Sequence, residues 1–401
     1  MGQGVTATEG CANPCAAAKS ADDDLSRQVT ERAQHINAGG AVAGPQSYCQ
    51  AQAKEMSAKA KQFDKYREAL PAARAANETN RLGGLPDIKV EAPCLSRLPL
   101  DAAGLNKALG LPPKTITDGM LRDDDSGFRA TLYRDETTGK VILTGRDTDP
   151  HSLADWQTNI DNGLGQDTEQ YKEMRKLAKT LDDNGVTFNT AGYSKGGGLA
   201  QEAGLMAPDA RVYVFNSAGL PAQALARTNQ ASFASLDART SSFSAQDEFL
   251  TAMNNTTDHA GISDNMHYLY NQLSGTNTSW FQRLGIKKLV PLTLDYSGPS
   301  DMSGTGGFGD ERQQFLDRLK GTIQNFDADP TAQNPFPPVR AGSFETIPNS
   351  MGRLGKVFGA SRAGPGFGKL TQHLMTNVLK PMEDLVSKDR ARMRSFLEVC
   401  R

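Results

Sequence analysis

One serine stands between two glycines in the stretch FNTAGYSKGGGLAQ, which runs from Phe188 to Gln201 and contains Gly192, Ser194 and Gly196. The spacing G-x-S-x-G suits an acyl-transfer nucleophile, because it sets a serine on a sharp strand-to-helix turn with its hydroxyl above a sheet. Glycine two residues to either side removes the Cβ atoms that would clash where the backbone doubles back. Tightening a βα unit, or binding a phosphate, is the other use of such a turn. Here an apolar strand signal precedes Ser194 and a helix signal follows it, the context a nucleophile requires.

A serine hydroxyl attacks poorly near neutral pH until a histidine takes its proton, and the imidazolium then needs a carboxylate to orient and stabilise it. On this kind of turn the chain order is serine, acid, histidine. Asp247, in TSSFSAQDEFL, follows the second strand after the turn and is the expected acid, with Glu248 as fallback. Asp237 and Asp258 fit less well, and a plain surface carboxylate is the alternative for Asp247. Three histidines follow: His259, His267 and His373. His267, in DNMHYLYNQL, has the setting of a structural histidine on an amphipathic helix. His373 comes after a glycine-rich loop and opens the last helical stretch, so it is the preferred base and His267 the alternative. His151 precedes Ser194, against the order, and is read as a lesser, substrate-facing residue.

The tetrahedral intermediate needs two backbone N–H donors. Lys195, the residue after the serine, supplies one; the other belongs to LTGRDTDPHSLADWQTNI, where Gly145 frees the backbone and Arg146 or Asp147 presents the amide. Adjacent residues across a tight turn point their side chains apart, so Lys195 is expected to act through its backbone and not as a serine–lysine dyad.

This chemistry calls for no cofactor and no metal. Cys11 and Cys15 look like half a zinc site, but no Cys/His pair with ligand spacing completes it. The five cysteines, with Cys49, Cys94 and Cys400, leave two readings open: free thiols, or a disulfide such as Cys49 to Cys94. The acidic runs ADDD and RDDDS do not complete a calcium loop and read as solvated turns.

The elements that must carry these residues follow from pattern. From Leu25 to about Asn80 the chain is rich in Ala, Gln, Lys, Arg and Glu, with Met56, Phe63, Tyr66 and Leu70 near helical spacing. That predicts a helical hairpin broken at NAGGAVAGPQ. Two strands, Phe128 to Arg134 and Lys140 to Thr144, flank a turn at Gly139. QDTEQYKEMRKLAKTLDDNG is a helix stopped by Gly185, followed by strand VTFNTAG, helix KGGGLAQEAGLMA, strand RVYVFNS and strand TSSFSA. This order predicts an α/β protein with a mostly parallel sheet covered by helices. Residues 1–110 form an N-terminal helical region and residues 111–401 the α/β domain, with a loop-rich, lid-like insertion at about 298–366. A helix from roughly Glu311 to Asn325 interrupts the insertion, whose Phe308, Phe336 and Phe358 either meet lipid or fill core. The final helix is expected to break at Pro381.

A 401-residue chain with 38% hydrophobic and 22% charged residues can bury a substantial core, and a net charge of -2 argues against general affinity for nucleic acid. No run of 18 apolar residues occurs. MGQGVTATEGCANPCAAAKSADDD lacks the basic-then-apolar order of a signal peptide, so export would use a dedicated route and the protein would otherwise stay cytoplasmic.

From Phe128 to Phe249 the chain resembles the lipase class 3 group of α/β hydrolases and its bacterial relatives with a GxSKGG turn. The likeness lies in VILTGRDTDPHSLADW, NTAGYSKGGGLA, VYVFNSAG and SSFSAQDEF, in which Asp247 matches the family's acid. TGRDT stands where the family commonly has Arg-Gly-Thr. The resemblance implies an α/β-hydrolase fold and hydrolysis of glycerolipid acyl esters, with membrane lipid as substrate. The helical N-terminus, the missing signal peptide and the large loops also resemble bacterial lipase effectors delivered by contact-dependent secretion such as type VI. That likeness implies a secretion carrier, an immunity protein and a target cell envelope. A soluble-ester hydrolase, thioesterase or acyltransferase is the rival within enzymes, and a non-catalytic binding protein the rival outside them.

Overall fold

A computed structural model of the chain describes residues 13–82, 92–98, 116–117, 120–123, 125–148, 158–159, 162, 166–245, 250, 259–273, 308–332, 343–348 and 376–401. In chain order its elements begin with α1 (Pro14–Asn37), α2 (Gln46–Leu82), β1 (Leu95–Arg97), β2 (Ile116–Thr117), β3 (Met120–Arg122), β4 (Arg129–Asp135) and β5 (Val141–Gly145). Next come α3 (Glu169–Asp183), β6 (Phe188–Tyr193), α4 (Lys195–Met206), β7 (Val212–Phe215), α5 (Ala222–Arg227), α6 (Gln230–Arg239) and β8 (Thr240–Ala245). The chain closes with α7 (His259–Leu273), α8 (Phe308–Ala328), β9 (Ser343–Ile347) and α9 (Thr376–Val399).

One mixed sheet runs in the order β2-β3-β4-β5-β6-β7-β8-β9, with β1 also paired to β4. β5 through β9 are parallel, and β4 joins β5 as the antiparallel hairpin that the sequence predicts. Neighbouring parallel strands follow one another in sequence, without the reversal of order that lets a doubly wound sheet cover both faces with its own crossovers. α3 and α4 pack on one face against Leu132, Leu143 and Phe188. Tyr133, Ile142, Tyr193, Tyr213, Phe215 and Phe243 line the opposite face, in one core with residues of α1, α2 and α9. The helical N-terminal region is therefore a structural layer of the sheet, because without it these aromatic side chains would face water.

The local causes are plain. Asn13 caps α1 through its side chain, which accepts from the amides of Cys15 and Ala16, and Pro14 occupies the first turn, where its missing N–H costs nothing. Leu25, Val29, Ala33 and Ile36 bury one stripe. Buried alanines at 53, 60, 69, 72, 73, 75 and 76 let α2 approach its neighbours closely.

Several expectations are corrected. ADDD is not a solvated turn: it lies inside α1, where Asp22 is 8% exposed and pairs with Arg390 of α9 at 2.7 Å. α9 continues through Pro381, whose ring sits early in the helix, so a single ladder bond is lost near an end where carbonyls and amides are less constrained. SFETI, read as part of a loop, is β9 and pairs with β8 in parallel. The expected helix from Glu311 to Asn325 is present with slightly wider bounds. Cys49 does not bond Cys94: the disulfides are Cys15–Cys94 and Cys49–Cys400, with Cα separations of 5.5 and 5.6 Å. Cys11 lies outside the described residues, as do Phe336 and Phe358. Among the described residues no helix is long and apolar enough to cross a membrane.

Candidate active site

β6 is almost entirely buried and ends at Tyr193; Ser194 then turns the chain into α4 with φ 53 and ψ −122. A non-glycine residue in that region costs on the order of 1–3 kcal/mol and persists only where its surroundings fix it. Here they do. The Ser194 amide donates to the Phe215 carbonyl at 3.0 Å, and the Ser194 carbonyl accepts from Gly197 at 3.0 Å and Ala218 at 2.8 Å. Ser194 is buried, with 8% of its surface exposed, and does not stand open above the sheet as the motif predicts.

The glycines are required by close approach. A Cβ at Gly192 would fall on the Gly196 carbonyl, and one at Gly196 would fall on the Gly145 carbonyl. Gly192→Ala is expected to cost about 1–3 kcal/mol of stability through overpacking. It should also depress turnover, because relief of the clash moves Ser194; thermal unfolding and steady-state kinetics on the same sample measure the two effects.

α4 is a poor helix former at its glycine-rich start, and a buried ionic cluster holds it. Glu202, 1% exposed, meets Arg175 of α3 at 2.6 Å and Arg227 of α5 at 3.1 Å. Asp167 bridges the same guanidiniums at 3.0 and 2.8 Å. Burial pushes the Glu202 carboxyl up, and the pull of Arg175 and Arg227 toward the charged form only partly offsets it.

Gly145 stands opposite Gly192 in the parallel register, so the loop after β5 lies directly against the start of α4. Its amides are already engaged. Arg146 N–H donates to the Arg129 carbonyl at 2.9 Å, Asp147 N–H to Asn80 Oδ1 at 2.9 Å, and Thr148 N–H to Asp147 Oδ1 at 2.6 Å. Asn80, from the last turn of α2, is 1% exposed and is a residue that sequence reasoning missed. Its only signal was a cluster of polar residues, Asn77, Thr79 and Asn80, closing an alanine-rich helix. Beside it Thr79 hydrogen-bonds Tyr133 and Thr144, sewing the end of α2 to the sheet. Lys195 is 2% exposed, so its side chain is enclosed, a burial that nothing in the sequence announced.

Asp247, Glu248, Asp258, His151 and His373 lie outside the described residues; Asp237 lies within α6, ahead of β8. His267 is on α7, where its Nε2 is 2.8 Å from Asp327 Oδ2 of α8, and Ser263 Oγ donates to Asp327 Oδ1 at 2.6 Å. Those hydrogen bonds, from Ser263 and then His267, hold the Asp327 carboxyl below the usual carboxylate range. His259 stacks on Phe326 at 4.2 Å between ring centroids. The structure thus gathers Ser194, Lys195, Arg146 and Asp147 at the C-terminal ends of the interior strands β5 and β6 and sets His267 and His259 in an α7–α8 pairing.

An α/β architecture with a strained serine at a strand-to-helix junction is the class that fold and site define. Within the chain, residues 102–280 match the family model described as Tle-like phospholipase domain, which makes this portion similar to a family of lipid-ester hydrolases. The match supports the resemblance to bacterial lipase and phospholipase effectors read from the motifs, and it spans Ser194, Asp247, His259 and His267 but neither α2 nor His373. No curated protein matches the chain.

Proposed function

We propose that this protein is a serine phospholipase with an α/β-hydrolase fold. Ser194 attacks the acyl carbon of a glycerolipid, His373 takes the hydroxyl proton and returns it to the departing alcohol, and Asp247 orients the imidazole. Lys195 N–H stabilises the oxyanion with a second donor beside the Arg146–Asp147 loop, whose own amides are engaged within the protein. Water then releases the acyl group. The observation that carries this reading is the strained Ser194 backbone at the end of β6, inside a segment similar to phospholipases. The insertion at 298–366, apart from β9, which belongs to the sheet, acts as the cover over the lipid. Two disulfides support action in an oxidising compartment such as a cell envelope, consistent with a secreted effector, a carrier and an immunity partner.

The test is product analysis on defined phospholipids in vesicles, with and without Ser194→Ala. Free fatty acid and lysophospholipid that vanish with the substitution support the reading. A folded wild type that releases neither, and that no fluorophosphonate labels, overturns it in favour of a binding role.

One observation favours a second assignment of the base. His267 already forms a histidine–carboxylate pair with Asp327, the arrangement a general base needs. In that version α7 and α8 deliver the dyad to Ser194.

A further inference from the structure

Asn80 is bound in a way that leaves half of its side chain unused. The Asp147 N–H at 2.9 Å can be received only by the carbonyl end of the carboxamide, since the other end is a donor. Hydrogen-bond chemistry therefore fixes the orientation, and Nδ2 faces away from Asp147. That nitrogen is buried and meets no acceptor among the described residues. Buried donors are almost always satisfied, because leaving one unmet is costly.

Its surroundings suggest what completes it. Asn80 is tied to the loop that abuts Gly196 and the start of α4. The amides of Arg146, Asp147 and Thr148 are each spent within the protein. The loop holds Asn80, and Asn80 carries the spare N–H.

Resting on the serine-esterase reading above, we propose that Asn80 is a catalytic residue whose Nδ2 is the second oxyanion donor. When Ser194 Oγ bonds to the acyl carbon, the carbonyl π pair moves onto oxygen and the hydroxyl proton passes to the histidine. The new oxyanion accepts from Lys195 N–H and Asn80 Nδ2–H. As the carbonyl re-forms, the ester C–O bond breaks and the alcohol leaves with the proton. The N-terminal helical layer then supplies a reacting group as well as a cover for the sheet.

Asn80→Asp in the full chain separates this role from loop support, because a carboxylate still accepts from Asp147 N–H but donates nothing. With a dissolved short-chain ester, kcat is expected to fall about 10²–10³-fold with little change in KM. The variant-to-wild-type ratio of kcat should rise on acidification, as the carboxyl regains a proton and with it a donor. A wild-type kcat, or a ratio flat with pH, assigns Asn80 a structural role and overturns the proposal. Should the variant fail to fold, the crystal structure of fluorophosphonate-treated wild type decides: a phosphonyl oxygen within about 3.2 Å of Nδ2 supports the assignment, and a longer separation overturns it. A folded wild type that is not labelled at Ser194 overturns the esterase reading as well, a result distinct from a labelled wild type with a fully active Asn80→Asp.

Discussion

Hydrolysis of phospholipid vesicles by His373→Ala is expected to fall by on the order of 10⁴–10⁶, level with Ser194→Ala. A serine hydroxyl gives up its proton only to a positioned base, so removing either partner abolishes the same step. The double variant should therefore be no worse than either single one, since groups that act as a unit are non-additive. His267→Ala should retain most activity and lose instead its contact with Asp327, which holds α7 to α8. Steady-state rates for the four proteins, normalised to folded fraction, decide the matter. Collapse with His267→Ala and survival with His373→Ala would transfer the proton shuttle to the His267–Asp327 pair.

Cys49→Ala or Cys400→Ala is expected to destabilise the protein by about 2–5 kcal/mol, with Cys15→Ala or Cys94→Ala costing less. The reason is loop length. Cys49 and Cys400 are 351 residues apart, whereas Cys15 and Cys94 are 79 apart, and the unfolded chain loses more freedom when a longer loop is closed. The longer bridge joins the start of α2 to the end of α9, two layers that cover neighbouring parts of the same sheet face. Melting curves with and without reductant measure the effect: a fall of roughly 5 °C or more on reduction is expected in wild type and should be smaller in Cys49→Ala. Equal curves in all samples would mean that α1, α2 and α9 hold the face by packing alone.

What the sequence made visible was what periodicity and glycine spacing encode. β5, β6, β7 and β8 are apolar runs, α3 between β5 and β6 is amphipathic, and Gly192 and Gly196 mark the turn at Ser194. The hidden features depend on distant partners. β1, β2 and β3 are two or three residues long, too short for alternation to register, and β9 lies among Gly, Pro and Ser residues that read as loop. Asp22 looked like a solvated charge because Arg390, which pairs with it, is 368 positions away. Disulfide pairing depends on where α2 and α9 meet, and no local pattern reports that. Asn80 escaped notice for the same reason: a helix-terminal asparagine is unremarkable until the loop it grips is seen.

The sequential order of β5 to β9 also shapes how the molecule is made. During synthesis each new parallel strand emerges beside the edge left by its predecessor, so the sheet can grow in the direction in which the ribosome releases it. α2 precedes the described strands, yet Phe243 and Ile347 share their core with α9, which follows all of the described strands in sequence. Until α9 emerges, the flank of the sheet around Phe243 and Ile347 lacks one of the layers that cover it.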